Sequence, residues 1–437
     1  MKGSKRTDPL GRASGDARLA LARPLRVVFL SCWLPYPHGM AATNRVRLLA
    51  RGLVEAGADA HVLVMQASDR PPHVENHETK GVHMGVGFEY TAGTTSRHPS
   101  FAMRRLIELR GWLAGAWRLC ELRRKGQVDC VYLWFTVQRW QARRAVYVGL
   151  LRALRVPIVI ELNERPWSLR PDRKPIERLR SPFAGVAGAV PISGFLTQWA
   201  RREAQHEGRT LGLVEVPILV DVNEQEVAEY PGGQPTVVFA GSPVYNETIA
   251  FILEAMRTVW RRHPECRLAV TGVNQSDPAA RWITESAAQG VLDDRVLIAG
   301  YLPREQLLSL YARSHALLVP LFDDVRSHAR FPTKLGEYLG SGRPVIATAV
   351  GEMERYLKDG ETAFLCPPGD PEAYGDAICR ALEDREAARR IGGAGRQLAE
   401  RCFDFRLHGQ RLLDMLTAVS RPELRTGVVS EASAGVD

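Results

Sequence analysis

Short apolar strand candidates alternate with amphipathic helix candidates along nearly the whole chain, and the alternation starts afresh past the midpoint. That pattern admits few folds: it asks for parallel strands joined by crossover helices in an α/β architecture. Arg26–Leu30 (RVVFL) reads as a buried first strand, and the loop Pro35-Tyr36-Pro37-His38-Gly39-Met40 leads into a helix through Asn44, Arg47, Leu48 and Leu53. Gly57 ends that helix, His61–Met65 follows as a strand, and further strands are expected at Val128–Trp134, Pro157–Leu162, Gly188–Ile192 and Val214–Pro217. Asp221 to Pro235 is polar and carries Pro and Gly, which marks a linker. Thr236–Ala240 (TVVFA) then opens a second series with Gly241-Ser242-Pro243 behind it. Strands follow at Cys266–Thr271, Arg295–Ala299, Ala316–Pro320 and Val345–Thr348, with helices beginning near Pro303, Pro332, Pro371 and Arg385. The expected fold is two tandem Rossmann-like domains facing across a cleft, where the carboxyl edges of such sheets bind ligands.

Domain boundaries follow from the same reading. Residues 1–24 form a disordered basic tail, 25–220 the first domain, 221–235 the linker and 236–420 the second domain, whose last helix is a candidate to cross back; 421–437 is a second tail. The 437 residues exceed one typical core, and 45% hydrophobic with 24% charged residues is globular composition. No segment has the apolar length of a membrane span or of a secretory signal, and seven scattered cysteines without Cys-x-x-Cys spacing suggest reduced, buried thiols. A cytoplasmic protein is the expectation. The net charge of +9 favours anionic ligands, while its dispersal and the lack of any helix-turn-helix, zinc-finger or base-stacking motif argue against nucleic acid.

One stretch carries chemistry. In Phe331–Thr348 (FPTKLGEYLGSGRPVIAT), Pro332 suits a first helical turn, and Thr333 is a cap or a phosphate-side donor. Lys334 and Glu337 lie one turn apart, and Gly340 and Gly342 break the helix before the buried Val345-Ile346-Ala347. A cation and a carboxylate near a sheet's carboxyl edge suit a nucleotide, Lys for phosphate and Glu for ribose. An ordinary surface helix with an i, i+3 ion pair explains the same residues.

Taken in order, these segments resemble the GT-B glycosyltransferases of family 4, a retaining group that uses nucleotide-sugar donors. The resemblance covers most of residues 26–410 and is strongest from 236 to 405. It rests on PYPHGMAATNRVRLLARGLVEAGADAHVLVM, VEVPILVD, TVVFAGS, VLIAGYLPREQLLSLYARSHALLVP, FPTKLGEYLGSGRPVIAT and VGEMERYLKDGETAFLCPPGDPEAYGDAI. It implies that Glu337 is the second acidic residue of a Glu-x7-Glu motif and holds the donor ribose. Ala329 stands where the first is usually found. Family members also carry an Arg and a Lys after the first strand of the second domain, and the loop Gly241-Ser242-Pro243-Val244-Tyr245-Asn246-Glu247 has neither. Lys334, Arg326 or Arg330 is expected to meet the diphosphate instead, helped by amides at Thr333 and Gly39. Gly241 and Ser242 would border the donor, and Tyr301 and Leu302 would pack on its base, unless they simply serve the core.

The family's histidine near the reacting carbon is also missing. Glu161 and Glu164, at the end of a strand, are candidates to orient the acceptor hydroxyl or the sugar; loop solvation explains them equally well. His38 is an acceptor-side base or a solvated loop residue, and Asn44 can hydrogen-bond near the glycine loop. Phe101–Lys125 is helical, with Leu106, Leu109, Leu113 and Trp117 on one side among many arginines. That stripe either packs on the first domain's sheet or meets an anionic membrane from the cytoplasmic side. The resemblance implies a metal-independent enzyme without a cofactor, whose substrates are a nucleotide-diphosphate sugar and a saccharide, lipid-linked or small-molecule acceptor in glycan or glycoconjugate biosynthesis. A catalytically silent partner subunit and a nucleotide-sugar epimerase of the same fold are the alternatives.

Overall fold

The computed structural model describes residues 23–71, 74–134, 141–164, 183–225, 228–241, 246–273, 280, 282–283 and 295–421. The first domain comprises β1 (Arg26–Ser31), α1 (Ala41–Glu55), β2 (Asp59–Val64), β3 (Lys80–His83), β4 (Val86–Tyr90), α2 (Phe101–Arg124), β5 (Cys130–Trp134), α3 (Gln141–Ala153), β6 (Ile158–Leu162), β7 (Gly188–Pro191), α4 (Gly194–His206) and β8 (Gly212–Leu213). Its strands order as β3-β4-β2-β1-β5-β6-β7-β8, parallel except for the β3–β4 hairpin. After a 3-10 turn at Val222–Glu224 come β9 (Thr236–Ala240), α5 (Asn246–Arg262), β10 (Arg267–Thr271), β11 (Val296–Gly300), α6 (Arg304–Ala312), β12 (Ala316–Val319), α7 (Val325–Ala329) and α8 (Lys334–Gly340). β13 (Val345–Thr348), α9 (Glu352–Tyr356), β14 (Phe364–Cys366), α10 (Pro371–Glu383), α11 (Arg385–Cys402) and α12 (Phe405–Ser420) complete it. The second sheet is all parallel, ordered β11-β10-β9-β12-β13-β14, the doubly wound arrangement.

The strand residues alternate between two apolar layers because helices cover both faces. In the first sheet, Val28 and Leu30 face one cluster with Val131 and Leu133, while Val27 and Phe29 face another with Tyr132 and Val190. α12 joins the second of these. Its Leu412, Leu413 and Leu416 are buried with Leu48 and Leu49 of α1, so the last helix packs on the first domain. Gly52 and Gly409 let α1 and α12 cross closely: a Cβ on Gly409 would stand 2.3 Å from the Gly52 carbonyl oxygen.

Three local readings need correction. Val214–Pro217 is not a strand; the pairing falls at Gly212–Leu213. β3, β4 and β14 were not foreseen, and the β3–β4 turn places Met84 at φ 49° and Gly85 at φ 80°, a primed turn written with an unusual residue. The apolar stripe of α2 does not pack on the sheet. Gly111, Trp112, Gly115, Leu119 and Leu122 face inward, and Leu106, Leu109, Leu113 and Trp117 are exposed.

Candidate glycosyl-transfer site

In the second sheet the chain reverses direction of winding between β9 and β12, and the loops there converge on the carboxyl ends. The Lys334 ammonium reaches this point: it donates to the Ala240 carbonyl at the end of β9 and lies 4.1 Å from the Phe239 ring centroid. Burial drives its pKa down from 10.5 to about 7. The Tyr338 hydroxyl on the same helix accepts from the Ala240 amide at 2.8 Å and fixes α8 to β9. Gly241 and Gly272 close the neighbouring edge. Gly272 has φ +87° and stands so near Gly241 that a Cβ would lie 2.6 Å from the Gly241 carbonyl oxygen.

Glu337, one turn beyond Lys334, is nearly buried and faces the first domain. Its Oε1 accepts from Asn44 Nδ2 of α1 at 3.0 Å and from Arg304 Nη1 of α6 at 2.9 Å. Arg304 also donates to Glu224 Oε2, through Nη2 at 2.8 Å and Nε at 3.1 Å. Arg47 clasps Glu224 from the other side, at 2.6 and 2.9 Å, and donates to Asn44 Oδ1 at 2.7 Å. One connected network therefore runs from α1 through the 3-10 turn to α6 and α8. Burial alone would raise the Glu224 carboxyl, but Arg47 and Arg304 hold it down at about 2. A second contact line joins the domains: Ser193 Oγ donates to the Ala329 carbonyl at 3.0 Å, and the Gly194 amide donates to Glu352 Oε1 at 2.7 Å.

Residues 234–384, which begin at β9 and contain both Lys334 and Glu337, match the family model described as glycosyl transferases group 1. The alpha-D-kanosaminyltransferase of Streptomyces kanamyceticus is 23% identical over 403 residues, 84% of this chain and 98% of that protein. The phosphatidyl-myo-inositol mannosyltransferase of Mycobacterium tuberculosis is 25% identical over 267 residues, 58% of this chain and 65% of its own. Among solved structures, sucrose-phosphate synthase from Thermosynechococcus elongatus superposes with a TM-score of 0.67 at 19% identity, covering 90% of this chain and 99% of that one. Anabaena HepE, solved with UDP and glucose, superposes with a TM-score of 0.63 at 14% identity, covering 90% and 100%. The chain has the GT-B fold, and its second domain carries a glycosyl transferases group 1 region, consistent with a transferase.

The fold distributes the remaining candidate residues unevenly. Arg326 lies half-buried on α7, and Arg330 follows it, with Nη2 3.8 Å from the exposed Glu164 of the first domain. Thr333 precedes α8 but its side chain makes no capping bond. Tyr301 is exposed and Leu302 half-buried just after β11. Gly39 sits at the amino end of α1, where a Cβ would meet Thr43 Oγ1 at 2.5 Å. Ser242 lies outside the described residues. His38 is held through its backbone by Asn76, and its ring packs edge-on against His83.

Glu161 is corrected. It is buried, pairs with Arg45 Nε at 2.8 Å and accepts from the Tyr132 hydroxyl, so it ties α1 to the sheet and offers nothing to the acceptor. Burial pushes its pKa up while Arg45 opposes the rise. Asp323 and Asp324 are not paired for a cation: Asp324 caps α7 by accepting from the Ser327 amide at 2.6 Å, and Asp323 contacts His328 Nε2 at 2.8 Å. Among the described residues, potential metal ligands converge at His263, just past α5, and Cys379 and Glu383 of α10, where Arg262 already clasps Glu383. Arg304 and Glu224 were missed by sequence reasoning. Arg304's one signal is its place directly after a strand-end loop in YLPREQ.

Proposed function

We propose that the chain is a glycosyltransferase that takes its sugar from a nucleoside-diphosphate sugar, seated on the second domain and completed by the first. Glu337 takes the ribose hydroxyls and Lys334 the diphosphate. The observation that carries the reading is the pair Lys334–Glu337, one turn apart at the β9–β12 reversal, with the carboxylate turned toward Asn44 of the opposite domain. A diphosphate arriving at Lys334 supplies the negative charge that a buried ammonium lacks, and both gain from the exchange. Anabaena HepE, of the same fold, was solved with UDP-glucose, which supports this donor class.

In this reading the enzyme is a retaining member of family 4, working in glycan or glycoconjugate biosynthesis in the cytoplasm. The leaving diphosphate accepts the acceptor's proton, so no protein nucleophile is needed. Neither cofactor nor metal enters; Lys334 is the principal cation, with Arg326 and Arg330 at the sugar side. Saccharides, lipid-linked sugars and small hydroxylated molecules are the acceptor classes to screen.

Calorimetry with UDP, GDP and ADP tests the proposal. One diphosphate should bind at micromolar affinity, and Glu337→Ala and Lys334→Ala should each weaken it by about 2–3 kcal/mol, the scale of hydrogen bonds to charged groups. Slow hydrolysis of the matching donor separates an enzyme from a silent partner. No binding of any of the three, by a folded protein, would falsify the donor assignment.

A further inference from the structure

α2 is apolar on both sides, and only one side is used by the fold. Its inner face closes on the first domain. A Cβ on Gly111 would stand 1.9 Å from the Met65 carbonyl oxygen, and Trp112 meets Tyr147 of α3 with ring centroids 5.1 Å apart. Its outer face carries Leu106, Leu109, Leu113 and Trp117, at 58, 56, 64 and 71% exposure. Their spacing places them on one stripe of a 3.6-residue helix, and Phe101 and Met103 are exposed at its amino end. A contiguous stripe of this kind marks an interaction surface, whereas single exposed leucines would not.

The charge around the stripe identifies the partner. Phe101–Lys125 contains six arginines and one lysine against two glutamates. Both glutamates are engaged within the helix: Glu108 by Arg105, and Glu121 by Arg118 and Lys125, each at 2.6 Å. Helical geometry sets Arg105 and Arg110 on the flanks of the stripe and Arg124 at its carboxyl end. Arg97, Arg104, Arg105 and Arg70 crowd the amino end, and burial together with these like charges lowers the Arg97 pKa. A second copy of the same face would bring these arginines together. An anionic bilayer satisfies the leucines and the arginines at once. Among the described residues no helix is long and apolar enough to cross a membrane, so the contact lies along the surface.

We propose that α2 is the face by which the protein docks on an anionic lipid surface, with Leu106, Leu109, Leu113 and Trp117 entering the headgroup–acyl boundary and Arg110 and Arg124 meeting lipid phosphates. This docking stands apart from the donor assignment above.

The test is co-sedimentation of the full chain with vesicles of pure phosphatidylcholine or of equimolar phosphatidylcholine and phosphatidylglycerol, at low and physiological salt. The protein should pellet with the anionic vesicles, at least about tenfold more strongly than with neutral ones, and less so as salt rises. Leu113→Ser with Trp117→Ser should lose this binding with no change in thermal midpoint or in donor hydrolysis. Arg110→Gln with Arg124→Gln should weaken it roughly 25-fold, about fivefold for each cation. The proposal is overturned if the wild-type chain stays in solution with anionic vesicles at low salt, or if the serine variant pellets as the wild type does. It is equally overturned if sedimentation velocity shows that variant turning a dimer into monomers, which would give the face to a second copy.

Discussion

Lys334 illustrates how one residue's surroundings set its use. A lysine with a pKa of about 7 is mostly neutral above that pH, and a diphosphate bound as proposed should raise it back toward the ordinary lysine range. Binding of the matching nucleotide at about pH 8 should therefore take up close to one proton, and affinity should fall as pH rises past about 7. Calorimetry in buffers of different ionisation enthalpy reads the uptake, and Lys334→Arg, which keeps its charge, should abolish it. Lys334 and Glu337 were legible because they are three residues apart on one helix. Asn44 and Arg304 were not legible as partners of Glu337, since 293 and 33 residues separate them in sequence. Glu161 misled for the same reason: a carboxylate at a strand end usually faces the cleft, but Arg45, 116 residues away, draws it inside.

Among the elements, the alternating strands and helices were read almost entirely from apolar runs and breakers. β3 and β4 escaped because KGVHMGVGFEY carries glycines where strand formers are expected, and its register is held by pairing to β2. α2 was recognised as a helix, yet its orientation was not. Two apolar faces give a sequence no preferred side, and Gly111 and Gly115 decide it by allowing close approach to Met65. Close approach also governs α12. Gly409→Ala would force a methyl against the Gly52 carbonyl oxygen at 2.3 Å, and the helices would have to part. A loss of about 2–3 kcal/mol is expected, within the range for overpacking, seen as a lower thermal or urea midpoint. Each of Leu412, Leu413 and Leu416 contributes about 1.5–3 kcal/mol by burial, so a partial undocking would expose the first domain's core.

For the whole molecule, Glu224 is a tie between the two domains. It belongs to the turn between domains and is gripped by Arg47 of one and Arg304 of the other. Glu224→Gln should weaken this tie by about 2–3 kcal/mol, because two arginines are left sharing a neutral partner. Small-angle scattering should show a larger radius of gyration, with a raised KM for donor and a smaller change in kcat. Acid acts on the same group. With its carboxyl held at about 2 against an ordinary 4.5, its contribution is complete above about 4.5 and disappears as pH falls toward 2. The wild-type scattering profile should approach that of the variant over this interval.

The alternation of strands and helices, the restart that gives two domains and the one-turn spacing of Lys334 and Glu337 follow from the sequence alone, because periodicity and i, i+3 spacing are local properties of a chain; β3, β4 and β14 do not. The tertiary structure decided which side of α2 meets water, that Glu161 is a buried tie, and that Arg304, Asn44 and Glu224 form one network with Glu337. Those outcomes depend on which distant side chains arrive at the same place, and that is settled only when sheets twist, glycines permit contact and charges find partners across the seam.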